Sequence, residues 1–224
     1  MDDPQRKLSE AQVREAGVDD WRQILGTLKA RFRTGDFATG LALVNAIGGA
    51  AAAADHHPDL TLMYAEVIVA LRSHDVHGIT DRDIDLARQI SRLAADAGIE
   101  SDVAGLTQVE LGLDTVAGER LAPFYAALLS VGLENGEPVD ASGQVPTIWW
   151  QSPEETGPQS ALPEQAFQQR WHVDVWVPHD DAQTRVDAVL EAGGRLVSDT
   201  HAPAYWVLED ADGNRSCICT PNGR

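Results

Sequence analysis

The sequence predicts an α+β protein made of two successive parts, and three features carry that expectation. Helix-period and strand-period segments alternate over the first hundred or so residues. After "GIESDVAG" the pattern turns β-rich, with strand, helix, strand, strand, strand legible toward the C-terminus. Composition is that of a globular chain: 43% hydrophobic and 23% charged side chains in 224 residues leave enough apolar surface for packed cores. The boundary is expected near residues 98 to 105, with domains over 1–98 and 104–224.

Each element has its own reason. In "LSEAQVREAG", Ser9 is the expected N-cap of a first helix, and Gln12 three places on completes a capping box. "WRQILGTLKARFRTG" alternates as a strand or hairpin and is closed by Thr34 and Gly35. From Asp36 an apolar stripe of Phe37, Leu41, Val44 and Ile47 marks a helix that fades into alanines. Pro58 forces the residue before it out of the α region, so His56 and His57 lie at that helix's exit. "TLMYAEVIVALRS" reads as one buried strand and "HDVHG" as a turn. "ITDRDIDLARQISRLAADAG" is an amphipathic helix capped by Thr80, with Asp83 at its third position and Gly98 as its stop.

In the second part "LTQVELGLDTV" is a strand, "GERLAPFYAALLSVG" a helix and "VPTIWWQ" a strand. The Pro-, Gln- and Glu-rich "SPEETGPQSALPEQ" is a loop or linker. "RWHVDVWV", "DDAQTRVDAVLEAGGRLV", "AYWVLED" and "SCICT" then repeat the order of one strand, one helix and further strands, as two copies of one unit would.

Charge narrows the partners. With 35 acidic and 17 basic side chains the formal net charge is -18, and no run of Lys or Arg offsets it. Such a surface repels nucleic acid and anionic bilayers, so neither is expected as a partner. "MDDPQRKLSE" lacks the features of a signal peptide, and no segment approaches roughly 18 uninterrupted apolar residues. Cys217 and Cys219, at i and i+2, would share a strand face in a geometry poor for bridging each other. A cytoplasmic protein with reduced thiols is the expectation.

The chemistry concentrates at His56, His57, His74 and Asp83, which this element order can bring to one pocket. Imidazole gives and takes protons near neutrality, and a carboxylate can fix its tautomer by accepting the other N–H. Three readings stand on residue chemistry alone. The histidines can cap a helix end and Asp83 complete a capping box with Thr80, the set can do acid–base work, or the imidazoles can hold zinc. The last is awkward, because adjacent histidines point apart on most backbones.

"DHHPDLTLMYAEVIVALRSHDVHGITDRDIDLA", from Asp55 to Ala87, resembles the signature of the pterin-4a-carbinolamine dehydratases. His56, His57, Pro58, Tyr64, His74, Gly78, Ile79, Thr80 and Asp83 carry it, with Trp21 and "RFRTGDFATGLALVNAI" upstream, over roughly residues 6 to 97. Ala52 stands where the family usually has a charged residue. The resemblance implies an antiparallel sheet with helices on one face. It also implies a hydro-lyase that dehydrates a 4a-hydroxytetrahydropterin to a quinonoid dihydropterin, with no cofactor. It implies His56 and His74 as acid and base in either order, His57 on the pterin, and Asp83 holding His74 or its neighbour. Trp21, Asp55, Pro58 and Tyr64 are expected at the substrate, although Trp21 can equally be core. The family also implies a small-molecule pterin as partner and a homo-oligomer.

The second part is similar to glyoxalase-like domains of the vicinal-oxygen-chelate superfamily, through "FYAALL", "HVDV" and "EDADGN". That likeness covers about residues 104 to 221 and implies paired βαβββ modules. Metal-binding members place ligands at positions falling on His172, Gln108, near Cys217 and near Trp150 or Gln151. This set is incomplete for a hard divalent ion, so no metal is expected. Two other functions stay in view: a non-catalytic scaffold, which needs no proton relay, and a metal-dependent enzyme run from the second part.

Overall fold

The computed structural model describes residues 5–115, 118–129, 131–140, 143, 146–151, 171–191, 193–209, 213 and 215–222. The linker expected at 152–165 and most of the "EDADGN" turn lie outside them. The chain divides into two compact units, Met1–Leu106 and Thr107–Arg224.

The first unit is an antiparallel sheet with helices on one face. α1 (Glu10–Glu15) starts at Ser9 with both bonds of the expected capping box. β1 (Arg22–Ile24) and β2 (Thr27–Arg33) form the hairpin, followed by α2 (Phe37–Ala54). The segment read as one strand is a second hairpin, β3 (Asp59–Leu62) and β4 (Glu66–Leu71), which turns at Met63–Ala65 without a glycine or proline to announce it. α3 (Asp81–Asp96) has Thr80 as N-cap, and Gly98 just past its end takes φ +69°. The two-residue β5 (Glu100–Ser101), unseen in the sequence, pairs with β2. Strand order is β1-β2-β4-β3, all antiparallel.

One face of the sheet supplies Leu28, Ala30, Phe32, Val67, Val69 and Leu71 to the core. α2 answers with Leu43, Ile47, Ala50 and Ala51, and α3 with Ile84, Leu86, Ala87, Ile90 and Ala94. The stripe expected on α2 was out of phase: Phe37 and Leu41 are 47% and 44% exposed, and the packed line runs through Gly40, Leu43 and Ile47. Gly40 explains the shift. A Cβ there would meet Leu62 Cδ1 at 2.6 Å and Thr34 Oγ1 at 3.2 Å, so the helix seats itself on the position that has no side chain. With no charge in 18 residues, α2 is long and apolar enough to cross a membrane by length and composition alone. Thr39 and Asn45 interrupt its apolar run, and one line of it, through Gly40, Leu43, Ile47, Ala50 and Ala51, is buried against the rest of the unit.

The second unit runs β6 (Gln108–Asp114), α4 (Gly118–Leu129), β7 (Gly132–Glu134), β8 (Glu137–Val139) and β9 (Thr147–Gln151). The same order then repeats as β10 (Trp171–Trp176), α5 (Ala182–Glu191), β11 (Arg195–Ser198), β12 (Tyr205–Glu209) and β13 (Arg215–Cys219). These are the two βαβββ series, although the short β7–β8 hairpin was not read from the sequence. Six strands join in the order β11-β12-β13-β10-β6-β9. Val177, Ala182, Val186, Trp206, Leu208 and Ile218 form a core under α5. Cys217 and Cys219 are buried and are not joined in a disulfide.

Gly112 on β6 lies beneath the His172 ring, whose Cε1 and Nε2 would stand 2.7 Å from a Cβ there. Gly112→Ala is therefore expected to destabilise this unit by about 1–3 kcal/mol through overpacking. Urea unfolding of the full chain reads the loss, and an unchanged midpoint would contradict it.

Candidate active site

The site begins with how α2 stops. Asp55 takes the left-handed conformation at φ 48°, ψ 38°. The His56 N–H then reaches back to the Ala51 carbonyl at 3.1 Å, a bond of the Schellman type. Asparagine and aspartate tolerate this backbone better than most residues, and Pro58 prevents the helix from resuming. The reversal separates the adjacent histidines. His56 turns inward and is 8% exposed, while His57 faces solvent.

α3 supplies the partner. Asp83, at its third position, is wholly buried. Its Oδ2 accepts the Thr80 N–H at 2.7 Å and the Ser73 hydroxyl at 2.7 Å, and its Oδ1 lies 2.7 Å from His56 Nε2. An isolated buried carboxylate is costly, but here both oxygens are engaged. Asp83 thus does both jobs the sequence allowed, capping and imidazole support. The imidazole it holds is His56, not His74. The αL turn at Asp55 aims the His56 ring at α3, whereas Ser73, the residue before His74, takes the remaining approach to the carboxylate.

His74 opens a 3-10 turn, His74–Val76, and is exposed. The turn is closed at its base, where Ser73 N–H donates to Gly78 O at 2.9 Å and Gly78 N–H to Ser73 O at 3.3 Å. Arg82 Nη2 and Gln5 Nε2 donate to Asp75 at 2.7 and 3.4 Å from outside it. The Arg82 hydrogen bond, first among its causes, holds the Asp75 carboxyl below its ordinary value. The bond to Arg82 therefore contributes above the ordinary carboxylate range and is lost as pH falls through the lower folded value. An NMR titration is expected to place the Asp75 midpoint below that of a peptide aspartate, and an equal midpoint would contradict it.

The other expected substrate contacts scatter. Trp21 is 2% exposed, edge-on to Phe32 with ring centroids 6.2 Å apart, and its indole N–H donates to Ser91 at 3.0 Å. It is a core residue. Tyr64 is 74% exposed at the tip of the β3–β4 hairpin, whose other end carries His56 and His74. At about 3.3 Å per strand residue that puts it on the order of 15 Å from the histidines of its own chain. Asp55 and Pro58 flank the histidine pair. Ala52 is exposed on α2. Ser73 was missed, since nothing in the sequence distinguishes it beyond standing before His74.

In the second unit the positions that metal-binding glyoxalase-like domains use do not converge. His172 lies opposite Gly112 and Gln108 opposite Trp176, four residues away on the same pair of strands, or on the order of 13 Å. Cys217 lies beside Asp174, and Gln151 beside Asp114. His172 Nε2 is 3.6 Å from Asp174 Oδ1, and the ring meets Trp149 edge-on with centroids 5.8 Å apart. Among the described residues no three His, Cys, Asp or Glu side chains are grouped to hold a metal.

Comparison with known proteins divides along the same line. A family model described as "Pterin 4 alpha carbinolamine dehydratase" matches residues 6–93, and one described as "Glyoxalase-like domain" matches residues 110–219. Among curated proteins, one from Thermosynechococcus vestitus is 45% identical over 85 residues, covering 38% of this chain and 87% of that protein. One from Aquifex aeolicus is 38% identical over 93 residues, covering 41% and 94%. Both are provisionally named pterin-4-alpha-carbinolamine dehydratases. A crystal structure titled as a transcriptional coactivator/pterin dehydratase from Brucella melitensis is 29% identical. It covers 40% of this chain and 99% of its own, at a TM-score of 0.39.

Proposed function

The chain belongs, through its N-terminal domain, to the pterin 4 alpha carbinolamine dehydratase family, and from that premise we propose that it is a hydro-lyase acting on 4a-hydroxytetrahydropterins. The C4a–O bond breaks, the hydroxyl leaves as water with a proton from the protein, and N5 gives up its proton. A quinonoid dihydropterin remains. One proton enters and one leaves, so two imidazoles suffice and no redox partner is needed. His56 and His74 take these roles. His57, exposed beside His56, orients the flat ring.

The observation that carries this reading is the buried Asp83–His56 pair at 2.7 Å. With Asp83 accepting, the imidazole keeps its proton on Nε2 and leaves Nδ1 for substrate. A scaffold would have no use for a histidine held in this way. We further expect the chain to work in the cytoplasm as a homo-oligomer, the latter read by light scattering.

The test is decay of a freshly generated 4a-hydroxytetrahydropterin followed by ultraviolet absorbance. The full chain is expected to accelerate it in proportion to its concentration. Decay at the uncatalysed rate by folded protein would sink the reading for pterins.

A further inference from the structure

Ser73 is 1% exposed and makes more of the site than its size suggests. Its hydroxyl lies 2.7 Å from Asp83 Oδ2 and 2.8 Å from Thr80 Oγ1. Asp83 Oδ2 already accepts the Thr80 N–H, so it is an acceptor and takes the single Ser73 proton. The contact between the hydroxyls must then use the Thr80 proton. The Thr80 oxygen in turn accepts from Arg82 N–H at 3.2 Å and Arg82 Nε–H at 3.3 Å. One proton per hydroxyl then runs the chain from Arg82 to Thr80, Thr80 to Ser73 and Ser73 to Asp83, with Asp83 Oδ2 a second, longer acceptor for the Thr80 hydroxyl at 3.4 Å. At its end Asp83 Oδ1 holds His56 Nε2.

The backbone of the same residue closes the turn that carries His74, through its pair of bonds with Gly78. Side chain and main chain of Ser73 therefore lead to different histidines. We propose that Ser73 is a positioning residue for both, setting the orientation of His56 through Asp83 and the place of His74 through the turn. It rests on the dehydratase reading, since it is that reaction which needs two histidines in register.

The alternative is that Ser73 only fills a buried space, and the hydroxyl distinguishes the two. Ser73→Ala removes the donor but leaves the turn's backbone bonds in place, whereas Ser73→Thr keeps the donor. Full-length variants are compared by thermal unfolding, by kcat and KM for 4a-hydroxytetrahydropterin dehydration, and by the ¹H NMR signal of the His56 imidazole N–H bonded to Asp83. Folded Ser73→Ala is expected to lose kcat by on the order of 10–100-fold, the range seen when an outer hydrogen-bond partner of a metal-bound side chain is removed. KM should change far less. Its imidazole N–H signal should move or broaden, and Ser73→Thr should restore both readouts.

A Ser73→Ala protein with wild-type kcat and an unmoved signal would overturn the proposal, as would a folded Ser73→Thr that matches Ser73→Ala. If the wild type does not dehydrate pterins, the dehydratase reading fails by itself, and the NMR signal still decides whether Ser73 governs His56. Should the added methyl unfold Ser73→Thr, the signal in Ser73→Ala decides alone.

Discussion

Replacing Asp83 with alanine is expected to destabilise the N-terminal unit by about 3–5 kcal/mol, the cost of removing one partner from a buried polar network. Ser73 Oγ, the Thr80 N–H and His56 Nε2 would all lose their acceptor in a region closed to water. The first turn of α3 would lose its cap as well. Urea unfolding of the full chain, followed by Trp21 fluorescence, should show an early transition for this unit. An unchanged profile would mean that water replaces the carboxylate cheaply. Asp83→Asn is the more informative partner. Its amide oxygen can still accept from Ser73 and Thr80, but its NH2 then faces His56 Nε2. Two donors cannot face each other, so the ring must move its proton to Nδ1, the atom assigned to substrate. Asp83→Asn is expected to fold and to lose kcat by about 10²–10⁴-fold, as inversion of a supported tautomer does elsewhere.

The second large effect belongs to His56 itself. His56→Ala removes a side chain held between α2's exit and α3, yet the αL reversal at Asp55 and the Pro58 stop are backbone features and survive it. The expected result is a folded protein whose kcat falls by about 10²–10⁴-fold, the usual worth of a positioned general acid or base. KM should change less than kcat, because His57 is the residue assigned to the ring. A drop confined to KM would reassign His56 from proton transfer to binding.

What the sequence revealed follows from what each signal measures. Capping boxes at Ser9 and Thr80 were legible because they depend on residue type at fixed short spacing, and both form as read. The α+β alternation was legible from runs long enough to show a period, whereas the paired βαβββ modules were implied by the glyoxalase-like resemblance and the short β7–β8 hairpin of the first was not read. Contacts set by shape were not. The packed line on α2 passes through Gly40, which a count of large apolar residues skips. The turn at Met63–Ala65 has none of the residues that usually mark one, so two strands were read as one; Tyr64, expected at the substrate from the resemblance, stands exposed at the tip of that hairpin.

The site divides similarly. His56, His57 and His74 could be singled out because histidine is scarce, 7 in 224 residues, and Asp83 because it stands three places after Thr80 and in the dehydratase-like pattern. Which imidazole Asp83 would hold could not, since that depends on a left-handed backbone at Asp55 that aspartate permits but does not announce. Ser73 was invisible because serine is common and its role comes from burial and from the carboxylate it meets. In the second unit, the separation of His172 from Gln108 was not legible, since strand register sets it.

The central claim is that His56, held by Asp83, and His74, on the turn that Ser73 closes, move the two protons of one elimination. Its most direct test is the decay of 4a-hydroxytetrahydropterin with wild type, His56→Ala and His74→Ala at equal concentrations of folded protein. Acceleration by wild type that is largely lost in each variant is the predicted result. Acceleration that survives both substitutions would contradict the account and place the chemistry elsewhere in the chain.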